Sequence, residues 1–466
     1  MPTKSTKISF KEKLGYGLGD TASNIFFQFV NIFLLYYYTD VFGLEPAVVG
    51  TLFVVTRFWD AINDPLMGAL ADRTNTRHGR YRPYLLWVSV PFGLLGYLAF
   101  ANPDFSPMGK TIYAYATYVG LMMAYTAINV PYSAMMGVMT PSSEERTSLA
   151  SYRFVGAFSG MLLISLSVRP LVREFGGGDE ATGFKLTMAL LSTLAVIMFL
   201  ITFFTTKERI KPQSNQGHTL RKDFKFLFKN KPWLIMVVAA IMTLSNVAVR
   251  GAVTSHFFKY YVGDDGSSVF WFLDRTSLIL SSGALAFICG IFFTGWLGKK
   301  FGKRNSLMGL TLLNAITLLG FYFIPAESYT TMLLVNALGN LLAGPTPALV
   351  WAIYTDVVDY GEWKFGRRTT GLAFSAALFA QKLGLTVGGG LSGWLLGFCG
   401  FVANEVQSDE ALLGIRLMFS ILPGALAIAN GIVLIWYPLT EDMMKTIEKD
   451  LADRRKREDD SAPEVD

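Results

Sequence analysis

The chain is 466 residues long, 52% hydrophobic and only 16% charged, with a mean hydropathy of +0.38. Soluble domains carry nearer ~25% charged residues, so this composition excludes an ordinary soluble fold and describes a multi-pass membrane protein. The net charge of +6 does not mark a nucleic-acid binder, because Lys and Arg crowd alternate connections between apolar runs.

Runs of ~20 apolar residues predict about twelve membrane helices. The expected spans are 17–40, 46–70, 83–102, 111–138, 148–172 and 184–206, then 233–261, 270–297, 305–325, 329–356, 370–398 and 411–437. The basic connections (Lys4 to Lys13, Arg73 to Arg82, Lys207 to Lys231, Lys299 to Arg304, Lys364 to Arg368, Arg454 to Arg457) place both termini in the cytoplasm. Arg169, Arg173 and Lys185 are exceptions near one opposite connection. The first apolar run is too long for a secretory signal and lacks a cleavage pattern, so no cleavable signal peptide is expected.

Asp20 ends GYGLGD in the first span, where Gly15, Gly17 and Gly19 permit close approach of another backbone. It reads either as a cap near the mouth or as a carboxylate for two neighbouring sugar hydroxyls. The second span carries Asp60, Asn63 and Asp64 on one helix face. An Asp at mid-membrane costs roughly 2.5 to 3.5 kcal/mol, so such groups persist in a polar cavity or against a partner. Two carboxylates and an amide supply oxygens for sodium, whereas a proton needs one carboxylate. The competing reading is that Arg57, three residues before Asp60, simply neutralises it. In the fourth span Thr126 and Asn129 share a face ahead of Pro131, which frees backbone carbonyls. Arg153, early in the fifth span, either snorkels or points its fork of donors at Asp20 and sugar oxygens.

The polar stretch 207–231 divides the chain near its middle, and each half places a glycine and a short basic loop after its second span, from Gly68 and from Gly295. The predicted organisation is therefore a six-helix bundle over 1–206, a cytoplasmic linker over 207–232, a second six-helix bundle over 233–438 and a cytoplasmic tail over 439–466. Two related six-helix halves are the pattern of the major facilitator superfamily, with ligand sites near the midplane. In the second half Trp351 is a candidate stacking surface for a sugar, against the ordinary packing role of membrane tryptophans. Asp356, Asp359 and Glu362, followed by Arg367 and Arg368, form either local helix-end salt bridges or a gate. Lys382, embedded in the eleventh span, needs a carboxylate partner or loses its proton. Cys289 and Cys399 read as buried packing thiols, and three scattered histidines give no metal cluster. The tail reads as a solvated, partly helical end.

The ordered motifs GYGLGD, YYYTDVFGL, RFWDAINDPLMG, ADRTNTRHGRYRP, YTAINVPYSAM, SYRF and DVVDYGEW resemble the glycoside–pentoside–hexuronide:cation symporters. This branch of the major facilitator superfamily includes melibiose permease. The resemblance runs from about residue 10 to about 450. It implies an all-α membrane protein of two pseudo-symmetric six-helix halves, and a sugar symporter, not an enzyme, in the bacterial inner membrane. It also implies a cation site at Asp60, Asn63, Asp64 and Thr126, sugar recognition by Asp20 and Arg153, and a lysine at the half–half interface in Lys382. Asn129 stands where melibiose permease has an aspartate and Ser133 replaces a nearby tryptophan, so a xyloside, pentoside or hexuronide fits better than a galactoside. The expected ligands are a small sugar and a monovalent cation, sodium favoured over a proton, with no other cofactor or metal. The protein is expected to act as a monomer. A lysolipid-type carrier and a non-transporting sugar sensor are the competing functions on the same fold.

Overall fold

The computed structural model describes residues 7–140, 142–210, 228–366 and 370–461, and these are helical almost throughout. Among the described residues, twelve rods follow one another ahead of the C-terminal tail. α1 is Phe10–Tyr36, α2 Pro46–Arg73, α3 Arg82–Trp87 continued by Ser89–Ala99, α4 Pro107–Met139, α5 Ser143–Gly176 and α6 Glu180–Thr205. α7 is Lys231–His256, and α8 is Arg275–Ile291 bent by 50° into Thr294–Phe301. α9 is Lys303–Gly320, α10 Tyr329–Ala343 with Thr346–Phe365, α11 Thr370–Phe398 and α12 Asp409–Arg416 with Leu422–Ile435. Seven rods are long and apolar enough to cross a membrane, or eight with the bent α8 pair taken as one. α2 is not among them; it carries Arg57, Asp60 and Asp64.

Local sequence explains where the rods begin. Ser9 accepts the Glu12 amide and starts α1 seven residues before the apolar run does. Ser106 precedes a proline at the first turn of α4, and Ser142 accepts the Glu145 amide at α5. Asp179 caps α6 through the amides of Ala181 and Thr182. Each satisfies N–H groups that a helix start leaves bare. The ammonium of Lys13 lies 2.9 Å from Glu145 and, by hydrogen bonding it, holds that carboxyl below its usual range.

Two compact units divide the chain. Among the described residues, the first joins those of 7–210 with 248–284 and 389–419; the second joins 228–247 with those of 285–388 and 420–461. In the first, glycines bring α1 and α5 into backbone contact: a Cβ at Gly156 would collide with the Gly17 carbonyl oxygen, and one at Gly17 would lie 2.7 Å from the Tyr152 oxygen. Small residues at helix crossings are how membrane helices gain dispersion contact without a hydrophobic driving force. Gly156→Val should therefore destabilise the fold by about 1–3 kcal/mol through overpacking. Gly295→Ala, where an added Cβ meets open space, should be neutral. Thermal unfolding in detergent checks both; equal midpoints for the two variants would remove the close-packing argument.

The repeat is visible in how each half anchors a helix start. Gly79 (φ 111°) precedes α3, and the carboxylate of Glu208, just past α6, accepts the amides of Arg80, Tyr81 and Arg82 at 2.7–2.8 Å. Gly302 (φ 80°) precedes α9, and Glu441, just past α12, accepts the Lys303 amide at 2.8 Å. The paired basic loops were legible in the sequence, but their glutamate partners were not.

In the second unit α13, Glu441–Ser461, follows α12. The tail was expected to be solvated. Instead Met444, Ile447 and Leu451 bury one stripe among Ile353, Tyr354 and Val357 of α10. Trp363 donates its indole N–H to Asp450 at 2.9 Å. The polar look of the tail comes from its outward face, which outnumbers the buried stripe. Of the two thiols, both free, Cys289 is exposed, contrary to expectation, and Cys399 is half-buried. Residues 211–227 of the expected linker, Arg367 and Arg368 lie outside the described residues.

Candidate functional site

The first unit gathers most of the polar side chains singled out in the sequence. The close α1–α5 crossing lets Arg153 reach Asp20, Nε to Oδ2 at 2.6 Å and Nη2 to Oδ1 at 3.4 Å. The two side chains keep 25% and 14% of their surface exposed, so the pair is buried without being sealed. A two-point guanidinium–carboxylate contact fixes orientation as well as charge. Arg153 therefore does not snorkel away, and Asp20 is not a helix cap, since α1 starts at Phe10.

Asp60 is 1% exposed, and its Oδ2 lies 3.4 Å from Arg57 Nη1. One turn further on, Asp64 Oδ1 accepts the hydroxyl of the buried Thr126 at 2.9 Å. Asn63 lies half-buried on the same turn of α2. Arg57 is thus a real neighbour of one carboxylate, while the α2–α4 contact brings hydroxyl and carboxylate oxygens together at the other.

Asn129 sits in the α1–α4 seam. Its Oδ1 accepts the buried Ser23 hydroxyl at 2.7 Å and its Nδ2 donates to the Tyr125 carbonyl at 3.0 Å. Part of its hydrogen-bonding capacity is therefore spent holding helices together.

Lys382 and Trp351 belong to the second unit. Lys382 is half-buried in α11. Trp351 stacks on Phe374, ring centroids 5.8 Å apart and 13° from parallel, in an apolar wall. In the acidic cluster Asp356 is 7% exposed, and both its oxygens accept from Lys303 Nζ at 2.6–2.7 Å. Asp359 and Glu362 are half-buried further along α10. Lys303 thereby links Asp356, through its ammonium, to Glu441, through its amide.

A second polar network, missed in the sequence, lies at the opposite end of the first unit from the chain's N-terminus. The Asp40 side chain is fully buried beyond α1. Lys259 Nζ reaches Asp40 Oδ1 at 3.0 Å, Tyr260 donates to the same oxygen, and His256 Nε2 lies 3.2 Å from Oδ2. Lys259 also donates to Asn404 Oδ1 at 2.7 Å, and Asn404 Nδ2 returns to the Asp40 carbonyl. Alongside, Arg169 of α5 meets Asp274 at 3.0 Å and Glu180 at 3.5 Å. These contacts tie α1, α5 and α6 to the far ends of α7, α8 and the α11–α12 connection. Opposite charges in the terminal turns of different spans, Asp40 against Lys259 and Arg169 against Asp274, were the available signal.

Breaking a buried ion pair by removing one partner costs about 3–5 kcal/mol. Asp40→Ala should loosen this seal. With Cys289 and Cys399 replaced by alanine, a Ser255→Cys reporter, 3% exposed in the parent, should react several-fold faster with a membrane-impermeant maleimide. An unchanged rate would show that the network does not close this end.

Long apolar rods around a buried set of carboxylates, guanidinium groups and hydroxyls define a multi-pass membrane transporter of the major facilitator fold. The sequence profile described as MFS/sugar transport protein matches residues 15–441. YagG of Escherichia coli (strain K12), a candidate glycoside/cation symporter, is 39% identical over 461 residues, 99% of this chain and 98% of that protein. The isoprimeverose transporter of Lactiplantibacillus pentosus is 34% identical, covering 92% of this chain and 89% of that one. The chain belongs to this family, the glycoside–pentoside–hexuronide:cation type of sugar transporter. The crystal structure of a D-xylose–proton symporter superposes with a TM-score of 0.63 at 15% identity, over 92% of this chain and 97% of that one, and shares the fold.

Proposed function

We propose that the protein imports a glycoside, pentoside or hexuronide together with a monovalent cation, sodium in preference to a proton, by alternating access across the bacterial inner membrane. The observation that carries this reading is the grouping in one compact unit of Asp20 with Arg153 and of Asp64 with Thr126. A carboxylate accepts from two vicinal hydroxyls and a guanidinium donates to ring oxygens, which is the chemistry of a polyhydroxyl ligand. The hydroxyl and carboxylate oxygens at Thr126 and Asp64, with the Asn63 amide on the same turn, suit a hard cation. An isoprimeverose transporter among the relatives favours a substrate containing a pentose.

The cation at Asp60 and Asp64 favours the state whose sugar site is formed, and sugar then permits the exchange of access. Linkage requires saturating sugar to tighten cation binding by the same factor. Both termini lie in the cytoplasm on this reading, so the Asp40–His256–Lys259 network faces outward.

The test is uptake into right-side-out membrane vesicles of labelled isoprimeverose, methyl xyloside, other glycosides and hexuronides, under an imposed sodium gradient, a proton gradient or neither. Sodium-driven accumulation of one sugar class is the expected result. Proton-driven accumulation would reassign Asp60 and Asp64 as protonation sites. Accumulation of no sugar by folded protein would overturn the reading.

A further inference from the structure

Behind the Asp20–Arg153 pair stand two tyrosines, each 0% exposed. Tyr16 on α1 and Tyr132 on α4 hold each other by reciprocal bonds: the Tyr132 hydroxyl donates to the Tyr16 carbonyl at 2.6 Å, and the Tyr16 hydroxyl to the Tyr132 carbonyl at 3.3 Å. Their rings lie 4.8 Å apart, and the Arg153 guanidinium carbon is 5.0 Å from the Tyr132 centroid and 5.9 Å from that of Tyr16. The Tyr16 carbonyl is one helical turn before Asp20. Tyr132 therefore bonds the turn that carries the carboxylate while its ring carries the guanidinium. Gly19 leaves room for this, since a Cβ there would lie 2.5 Å from the Tyr132 ring.

We propose that Tyr132, with Tyr16 as its partner, is a positioning residue for substrate. It sets the pose of both Asp20 and Arg153 from the buried side without touching the sugar. This rests on the reading of Asp20 and Arg153 as the sugar site. A guanidinium tethered only to one carboxylate can swing about that contact; an aromatic face behind it fixes the plane in which its remaining N–H groups point. Preorganisation of this kind shows in affinity, because an unfixed pair must be ordered each time substrate binds.

The experiment measures counterflow KM and Vmax in proteoliposomes, using whichever of isoprimeverose, methyl xyloside or 4-nitrophenyl glucuronide the parent protein concentrates best. Tyr132→Phe keeps the ring and loses the hydroxyl, so KM should rise about 5-fold with Vmax unchanged. Tyr132→Ala loses both, so KM should rise about 30-fold, with the phenylalanine variant recovering most of it. Gly19→Ala, which pushes the ring, should raise KM as well. A role in stability alone would lower Vmax through the amount of folded protein and leave KM where it was. Asp20→Ala in the same assay separates the two claims. If Asp20→Ala abolishes transport while Tyr132→Phe and Gly19→Ala keep the parent KM, the positioning role is overturned and the sugar site stands. If Asp20→Ala transports normally, or the parent concentrates none of the three probes, the sugar site fails and the positioning role goes with it.

Discussion

Asp64→Cys is expected to reduce cation-driven accumulation to equilibrium, an inside-to-outside ratio of one, while substrate exchange across the membrane continues. The geometry distinguishes this residue from its neighbour. Asp60 has the guanidinium of Arg57 at 3.4 Å on its own helix, and part of its role is to be neutralised there. Asp64 instead meets a hydroxyl from another helix, so its environment depends on how α2 and α4 are packed. A thiol offers a soft, weakly basic donor where sodium wants oxygen. Coupling needs the cation to bind one conformation more tightly than the other, and a ligand without differential affinity shifts nothing. Thr126→Val removes one neutral oxygen, and the sodium concentration for half-maximal uptake should rise about 5-fold, as for the loss of one ordinary hydrogen bond or ligand contact. Accumulation and its sodium dependence, measured in vesicles with parallel counterflow, check both. Intact concentration by Asp64→Cys would remove Asp64 from the mechanism.

The membrane helices and the two-fold repeat were legible in the sequence because both rest on composition. Apolar runs, basic loops and paired glycines are local signals that a bilayer enforces. Asp20, Asp60, Asp64 and Arg153 were legible for the same reason, as charges where hydrocarbon should be. Which groups pair was less so. Arg57 and Asp60 share a helix face, and the i,i+3 spacing predicts their contact. Arg153 meeting Asp20 depends on Gly17 and Gly156 letting two backbones touch 139 positions apart in sequence, and spacing carries no such information. The tyrosines behind Arg153 look like ordinary apolar filling. Asp40 and His256 escaped notice because polar residues at the ends of spans are commonplace. Only the fold shows that those ends are packed against one another, with the Asp40 and His256 side chains buried. The tail misled in the opposite direction: three buried residues among many charged ones make a helix that reads as solvated until its partner, α10, is seen.

Asp20→Ala should lose substrate binding itself, by a factor of about 100 to 1000 in affinity. Two terms contribute. Hydrogen bonds from sugar hydroxyls to a carboxylate are worth about 1.5–3 kcal/mol each, and the alanine makes none. The Arg153 side chain, three-quarters buried, also loses the carboxylate that holds its Nε at 2.6 Å, and an arginine so released turns towards water or another acceptor. Asp20→Asn keeps the shape and one acceptor, so it should retain a measurable fraction of affinity. Arg153→Lys keeps the charge but replaces a planar fork with a point donor, and should fall between the two. The order of affinities, parent above Asn, Asn above Ala, is the signature of a carboxylate that both binds substrate and orients its partner. Sodium binding in the absence of sugar should survive in all three, since Asp60, Asp64 and Thr126 are untouched. Equilibrium binding of the transported sugar to purified protein, with sodium binding measured alongside, resolves the two ligands. Parent-like sugar affinity in Asp20→Ala would sink the assignment, whereas simultaneous loss of sugar and sodium binding would mean that the pair holds the bundle together and that its contact with sugar is incidental.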